Sequence, residues 1–222
     1  MGNMLAALTR LVNVMAAGSV PEMVAPFLTG ARLHASNKKD GGIRPIAVGN
    51  IMRILTGKCF IYALANKAAG FFQPFQMGVA IRGGMEAIIH STRQVVEEAQ
   101  DQGEGDEDLL ILRVDLIIAF NQVDRNAAFK EVEDHFPEML SWVLTCYKHQ
   151  SVLYFGSDVI LSMAGWHQGD PPASLLFSLA LYPIIKIIAH RVPRLFINIW
   201  YLDDGELVGK KEELQEAVDV LL

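Results

Sequence analysis

The sequence predicts an α+β fold, with helices packed on one face of a largely antiparallel sheet. Apolar residues recur at helical spacing through most of the first 100 residues. Beyond that point the order becomes strand, helices, hairpin, helix, strand, strand and helix. Two of the apolar, strand-like runs also end in acids: LLILRVD at 109–115 and RLFINIWYLDD at 194–204.

Each element has a local reason. MLAALTRLVNVMAAG (4–18) carries a helical stripe with Gly18 as its stop, and SVPEMVAPFL (19–28) reads as a short helix with a proline near each end. RLHAS (32–36) and RPIAV (44–48) read as strands around the turn NKKDGG (37–42). Residues 50–70 form a long helix weakened at Gly57, and 83–100 form another before the exposed acidic loop DQGEGDED (101–108). The continuous apolar run 109–115 reads as a central strand. Helices follow at 124–136 and 137–149, then a hairpin over 152–162 and a buried helix over 172–191. RLFINIW (194–200) reads as a buried strand, Gly205 suits a tight turn, and ELVG (206–209) returns.

Composition bounds the function. With 222 residues, 51% of them hydrophobic and 20% charged, the chain can bury a substantial core and is not a disordered segment. The clean apolar run inside SLLFSLALYPIIKIIA (174–189), which holds Pro183 and Lys186, is shorter than the roughly 20 residues a membrane span requires. No membrane partner and no secretory signal is expected, and two isolated cysteines, Cys59 and Cys146, fit a reducing intracellular setting, cytoplasmic or nuclear. The formal net charge of −6 is unevenly spread: residues 31–70 hold seven cations and one acid (net +6), residues 97–138 three cations and thirteen acids (net −10). A basic segment for phosphates and an acidic one for cations would produce that asymmetry, as would ordinary solvated surface.

Asp115, Asp203 and Asp204 stand at the tips of two apolar runs and converge if the strands are neighbours. Packed carboxylates repel, and stay ionised in a poorly solvated site only when cations compensate. Oxygen-only ligands suit Mg²⁺, which keeps water and substrate phosphate in its remaining positions.

These residues carry a family resemblance. VDLIIAFNQVDR (114–125), GWHQGDPPASLLFSLAL (165–181) and YLDDG (201–205) resemble the palm motifs of reverse transcriptases, above all those of non-LTR (LINE-like) retrotransposons. KKDGGIRPIAV (38–48) and QMGVAIRGG (76–84) are similar to the fingers segments that precede them. The resemblance implies a right-hand polymerase with fingers over 1–105, interleaved with a palm over 106–222, whose later segment and thumb are absent. It implies an RNA-directed DNA polymerase adding deoxynucleoside triphosphates to a primer on an RNA or DNA template, with two Mg²⁺ ions (or Mn²⁺) as cofactors. Missing palm, thumb and endonuclease segments of a longer polyprotein would be its partners.

By the same resemblance Asp115 and Asp203 bind both ions, Asp204 assists and the Leu116 carbonyl completes a coordination sphere. Arg44 and either Lys38 or Lys39 contact the triphosphate, Gln168 and Gly169 line the nucleotide pocket, and Tyr201 packs at the primer terminus. Phe120 occupies the position of the ring that excludes a 2′-hydroxyl; its alternative is an ordinary core phenylalanine. Departures from the pattern are Ile117 and Ile118 in the first block, and Pro172 and Ser174 in the second. Two other readings share parts of this pattern: a nucleotide cyclase or related palm enzyme, and a catalytically silent nucleic-acid-binding remnant.

Overall fold

The computed structural model describes residues 2–38, 41–101, 109–116 and 119–222. Lys39, most of the acidic loop (102–108), Ile117 and Ile118 lie outside the described residues. The elements run α1 (Gly2–Ala16), α2 (Ala25–Thr29), β1 (Ala31–Asn37), β2 (Ile43–Gly49), α3 (Ile51–Phe72), α4 (Gly84–Asp101), β3 (Leu110–Asp115) and α5 (Ala119–Gln122). They continue α6 (Arg125–His135), a 3-10 turn at Pro137–Met139, α7 (Leu140–Tyr147), β4 (Ser151–Phe155), β5 (Asp158–Ser162), α8 (Ala173–Arg191), β6 (Ile197–Tyr201), β7 (Asp204–Gly209) and α9 (Lys211–Leu221).

The chain divides into two compact units, residues 1–64 with 118–180 and residues 65–117 with 181–222. The boundary expected at 105/106 therefore falls inside the second unit. The first unit holds a four-stranded sheet in the order β2-β1-β4-β5, antiparallel except where β1 and β4 run parallel. Ala31, Ala47 and Leu153, with Leu33, form its apolar face. On the opposite face the register aligns Arg32, His34 and Ser36 with Val48, Ile46 and Arg44, and Arg32 with Tyr154. Arg32, His34, Arg44 and Tyr154 are all exposed there.

The same unit holds a buried charged group. Arg53, fully buried on α3, donates to the Thr29 carbonyl and pairs with Asp170 at 2.7 Å. Tyr147 donates its hydroxyl to the same Asp170 oxygen. Burial opposes the Arg53 charge, but Asp170 more than offsets it and the guanidinium stays protonated. Gly57, expected to weaken α3, leaves the helix unbroken. A methyl there would sit 3.0 Å from the Pro172 ring, so glycine lets the helix backbone approach the 171–172 prolines.

The second unit holds the three-stranded antiparallel sheet β3-β7-β6. Here β3 is an edge strand and not the central one its apolar run suggests; Leu110 and Ile111 are exposed. The middle place goes to β7, whose Leu207 and Val208 are fully buried. An uninterrupted apolar run signals low polarity, and edge and centre cannot be told apart from it.

Other boundaries moved for local reasons. The helix expected over 19–28 begins only at Ala25, because Pro26 is tolerated in a first turn and not in a helix interior. The strand expected from Arg194 starts at Ile197, and Phe196 is exposed. Pro183 sits inside α8. At 19 residues α8 is long and apolar enough to cross a membrane by length and composition, beyond what its interrupted apolar run suggests. Since 56% of its most apolar window is buried inside the protein, α8 is read as a core helix.

Candidate catalytic site

The acids stand at one end of the three-stranded sheet. Register places Asp115 of β3 opposite Asp204 of β7, and Asp204 opposite Tyr201 of β6, so Tyr201, Asp204 and Asp115 form one row across all three strands. Side chains directly opposite in antiparallel strands lie about 4.5–5.5 Å apart at Cβ, so this row sets two carboxylates side by side. In the parallel row two residues further along, Arg113 faces Glu206, and the two form an ion pair at 3.4 Å. That row is neutralised. The end row is acid against acid, exposed on both sides, and no described residue forms an ion pair with Asp115 or Asp204.

Asp203 belongs to the two-residue connection Leu202–Asp203 between β6 and β7. Among the described residues no group of three or more His, Cys, Asp or Glu side chains is arranged to hold a metal ion. The arrangement is therefore a cross-strand pair with a third acid on the adjoining turn. Two unpaired carboxylates fit a hard divalent cation that takes its other ligands from water and phosphate, so the donor chemistry suits Mg²⁺. Leu116 directly follows β3, which places its carbonyl at the same sheet end as Asp115.

Gly205 does not make the turn. It lies in β7 opposite Trp200, and a methyl there would meet the fully buried Trp200 ring at 2.7 Å. The left-handed residue of the turn is Leu202, with φ 57. Its backbone is held by Gln76, a fully buried side chain that the sequence reading placed in a motif without giving it a role.

The remaining site residues belong to the first unit. Arg44 lies exposed on β2 opposite Ser36, and Lys38 immediately follows β1. The Gln168 carbonyl accepts from Ala47 N–H at 2.7 Å. Gly169, with φ +108, comes so close to that strand that a methyl would sit 3.0 Å from the Ala47 carbonyl oxygen. Gln168 also borders a cavity of about 290 Å³ together with Asn121, Trp166 and His167. Asn121 Oδ1, Trp166 Nε1, His167 Nε2 and Gln168 Oε1 are each buried without a hydrogen-bond partner.

Phe120 is in helix α5 and not in strand; it is buried and stacks on Phe177 with centroids 4.5 Å apart. Trp166 and His167 are buried. Burial, then the charges of Arg53 and Arg125, press the His167 imidazole down to about 3.

His167 is thus neutral when folded and titrates near 6.5 when unfolded, so the unfolded chain takes up its proton first as pH falls. The stabilisation is complete above about 6.5 and drains away toward 3. Unfolding midpoints in urea should fall more steeply over that interval for the wild type than for His167→Gln, and parallel curves would show the imidazole to be solvated.

The fold built around this site is reverse-transcriptase-like. Apo telomerase from Candida tropicalis, truncated from its C-terminal domain, superposes with a TM-score of 0.62 at 14% identity, over 88% of this chain and 47% of that one. Telomerase from Candida albicans, in complex with a TWJ fragment of telomeric RNA, superposes with a TM-score of 0.65 at 10% identity, over 91% of this chain and 41% of that one. Telomerase is a reverse transcriptase relative, and at these identities the likeness concerns the fold. The chain spans less than half the length of either. No protein-family model and no curated protein matches it.

Proposed function

We propose that this chain is the part of an RNA-directed DNA polymerase that carries its reaction centre, adding deoxynucleotides to a primer on a nucleic-acid template. The observation that carries the reading is the end row of the second sheet, where Asp115 faces Asp204, no described residue forms an ion pair with either, and Tyr201 stands beside them. A sheet that pairs Arg113 with Glu206 in one row and opposes two acids in the next is arranged for a cation from outside. Bound there, divalent ions would supply charge neutralisation at the phosphate and lower the pKa of the attacking hydroxyl.

The chain's own residues do the rest. Asp115 and Asp204 hold charge at a fixed separation, Asp203 adds a third carboxylate from the turn, and the Leu116 carbonyl adds a neutral oxygen. Tyr201 offers a ring for the primer terminus to pack on. In the first unit, Arg44 and Lys38 supply cations for phosphate, the guanidinium by two-point contact and the ammonium as a compact charge. Gln168, with Gly169 next to it, borders a cavity of about 290 Å³ that would take the nucleotide. The exposed sheet face with Arg32, His34, Arg44 and Tyr154 suits a single strand, through phosphate contacts and base stacking. The blocks quoted above favour a non-LTR retroelement as the source.

Primer extension with Mg²⁺ and deoxynucleoside triphosphates tests the reading. Extension by the chain, alone or joined to thumb segments, supports it. Salt-sensitive template binding without extension in either form identifies a silent nucleic-acid-binding remnant. Phe120→Ala should raise ribonucleotide use relative to deoxynucleotide use and cost about 3–5 kcal/mol of stability through its lost packing on Phe177. Both are read on one protein, from the ribo/deoxy ratio and the melting midpoint; a fixed ratio in a folded, active variant assigns the ring to the core alone.

A further inference from the structure

Leu202 needs something to hold it. It is a branched residue in the left-handed region (φ 57), a conformation that costs a non-glycine residue free energy and persists only when its surroundings impose it. The turn itself is only two residues long and carries Asp203.

The constraint comes from residues 75–78. Phe75 O accepts from Trp200 N–H and Met77 N–H donates to Trp200 O, both at 2.7 Å, so this segment pairs with the end of β6 as a short parallel bridge. The Gln76 side chain continues the pairing where the main chain turns away. Its Oε1 accepts from Leu202 N–H at 2.8 Å and from Gly78 N–H at 2.9 Å, and its Nε2 donates to Leu202 O at 3.1 Å. Both polar groups of the strained residue are thus met by one amide, and Gln76 itself is fully buried. Gly78 belongs to the same arrangement: a methyl there would lie 2.7 Å from Leu202 N.

We propose that Gln76 is a positioning residue for the carboxylates: by clamping Leu202 it sets where Asp203 points and fixes the register that brings Asp204 opposite Asp115. This rests on the reading of those acids as a cation site. An amide suits the role because it presents a donor and an acceptor in one plane, matching the N–H and C=O of the residue it holds. A lost pairing would leave partly buried backbone groups of the turn without their protein partner, so the turn would relax from the left-handed conformation and carry Asp203 with it.

The test combines amide hydrogen exchange at Leu202 and Gly78 with Mn²⁺ binding followed by its electron paramagnetic resonance signal, on the whole chain. Gln76→Leu keeps the volume and removes the clamp. It should speed exchange at Leu202 and weaken Mn²⁺ binding, each by about tenfold, the equivalent of one hydrogen bond lost. Gln76→Glu covers the case in which the leucine variant does not fold. Its ionised carboxylate repels the Leu202 carbonyl, but once protonated it offers the amide's donor and acceptor, so Leu202 protection should return as pH is lowered. Asp115→Asn serves as the control that loses Mn²⁺ without loosening Leu202.

The outcomes separate. A wild type that protects Leu202 but binds no Mn²⁺ overturns the cation site and the proposed function with it. Fast Leu202 exchange in the wild type, or unchanged exchange in Gln76→Leu, overturns the clamp. A loosened Leu202 with Mn²⁺ binding unaltered overturns the positioning role alone.

Discussion

Asp115→Asn is expected to abolish primer extension while making the metal-free chain more stable. Asp115 faces Asp204 directly across β3 and β7, and like charges in that relation destabilise a sheet by about 0.2–1 kcal/mol. Neutralising one removes the repulsion and leaves the ladder intact. On the proposed function the same change deletes a metal ligand, and a loss of about 4 kcal/mol in transition-state stabilisation corresponds to roughly a thousandfold in rate. Stability and activity therefore move in opposite directions. Both effects can be read by comparing urea midpoints with primer extension. Added salt should narrow the stability difference by screening the exposed pair. Divalent cation should raise the midpoint of the wild type and not of the variant. A variant less stable than its parent in low salt would mean that the two acids are not neighbours.

Asp170→Asn is expected to cost about 3–5 kcal/mol, because it leaves the Arg53 guanidinium buried without its counter-charge. For a chain of this size that lowers the melting midpoint by roughly 10 °C. Arg53→Met should cost a similar amount by stranding Asp170 and its Tyr147 contact. Combining the two changes should recover much of the loss, since the cost lies in the unpaired charge and not in the absence of the pair. Urea denaturation of the four proteins gives the coupling directly. Additive losses would show that solvent reaches the pair.

Local sequence signals account for only part of this arrangement. The β6–β7 strands, their acids, and the helices α1, α3, α4 and α8 follow from apolar periodicity, which is a local property. The roles of Asp170 and Gln76 do not. Each sits inside a quoted motif, yet the partners, Arg53 and Leu202, lie 117 and 126 residues away along the chain. A Gln two residues before Gly78, the glycine that admits the Leu202 backbone, was the one local trace of the clamp.

Period and composition are written residue by residue, and they suffice to deliver Asp115 and Asp204 to the ends of short apolar strands. Long-range pairing makes β3 an edge strand, sets Asp115 opposite Asp204, and gives the turn to Leu202 and not Gly205. The reason is physical. Register and strand order depend on which distant backbones exchange hydrogen bonds, and glycine serves as readily for close packing as for a turn. At Gly205 it was the Trp200 ring, brought across from β6, that made the choice.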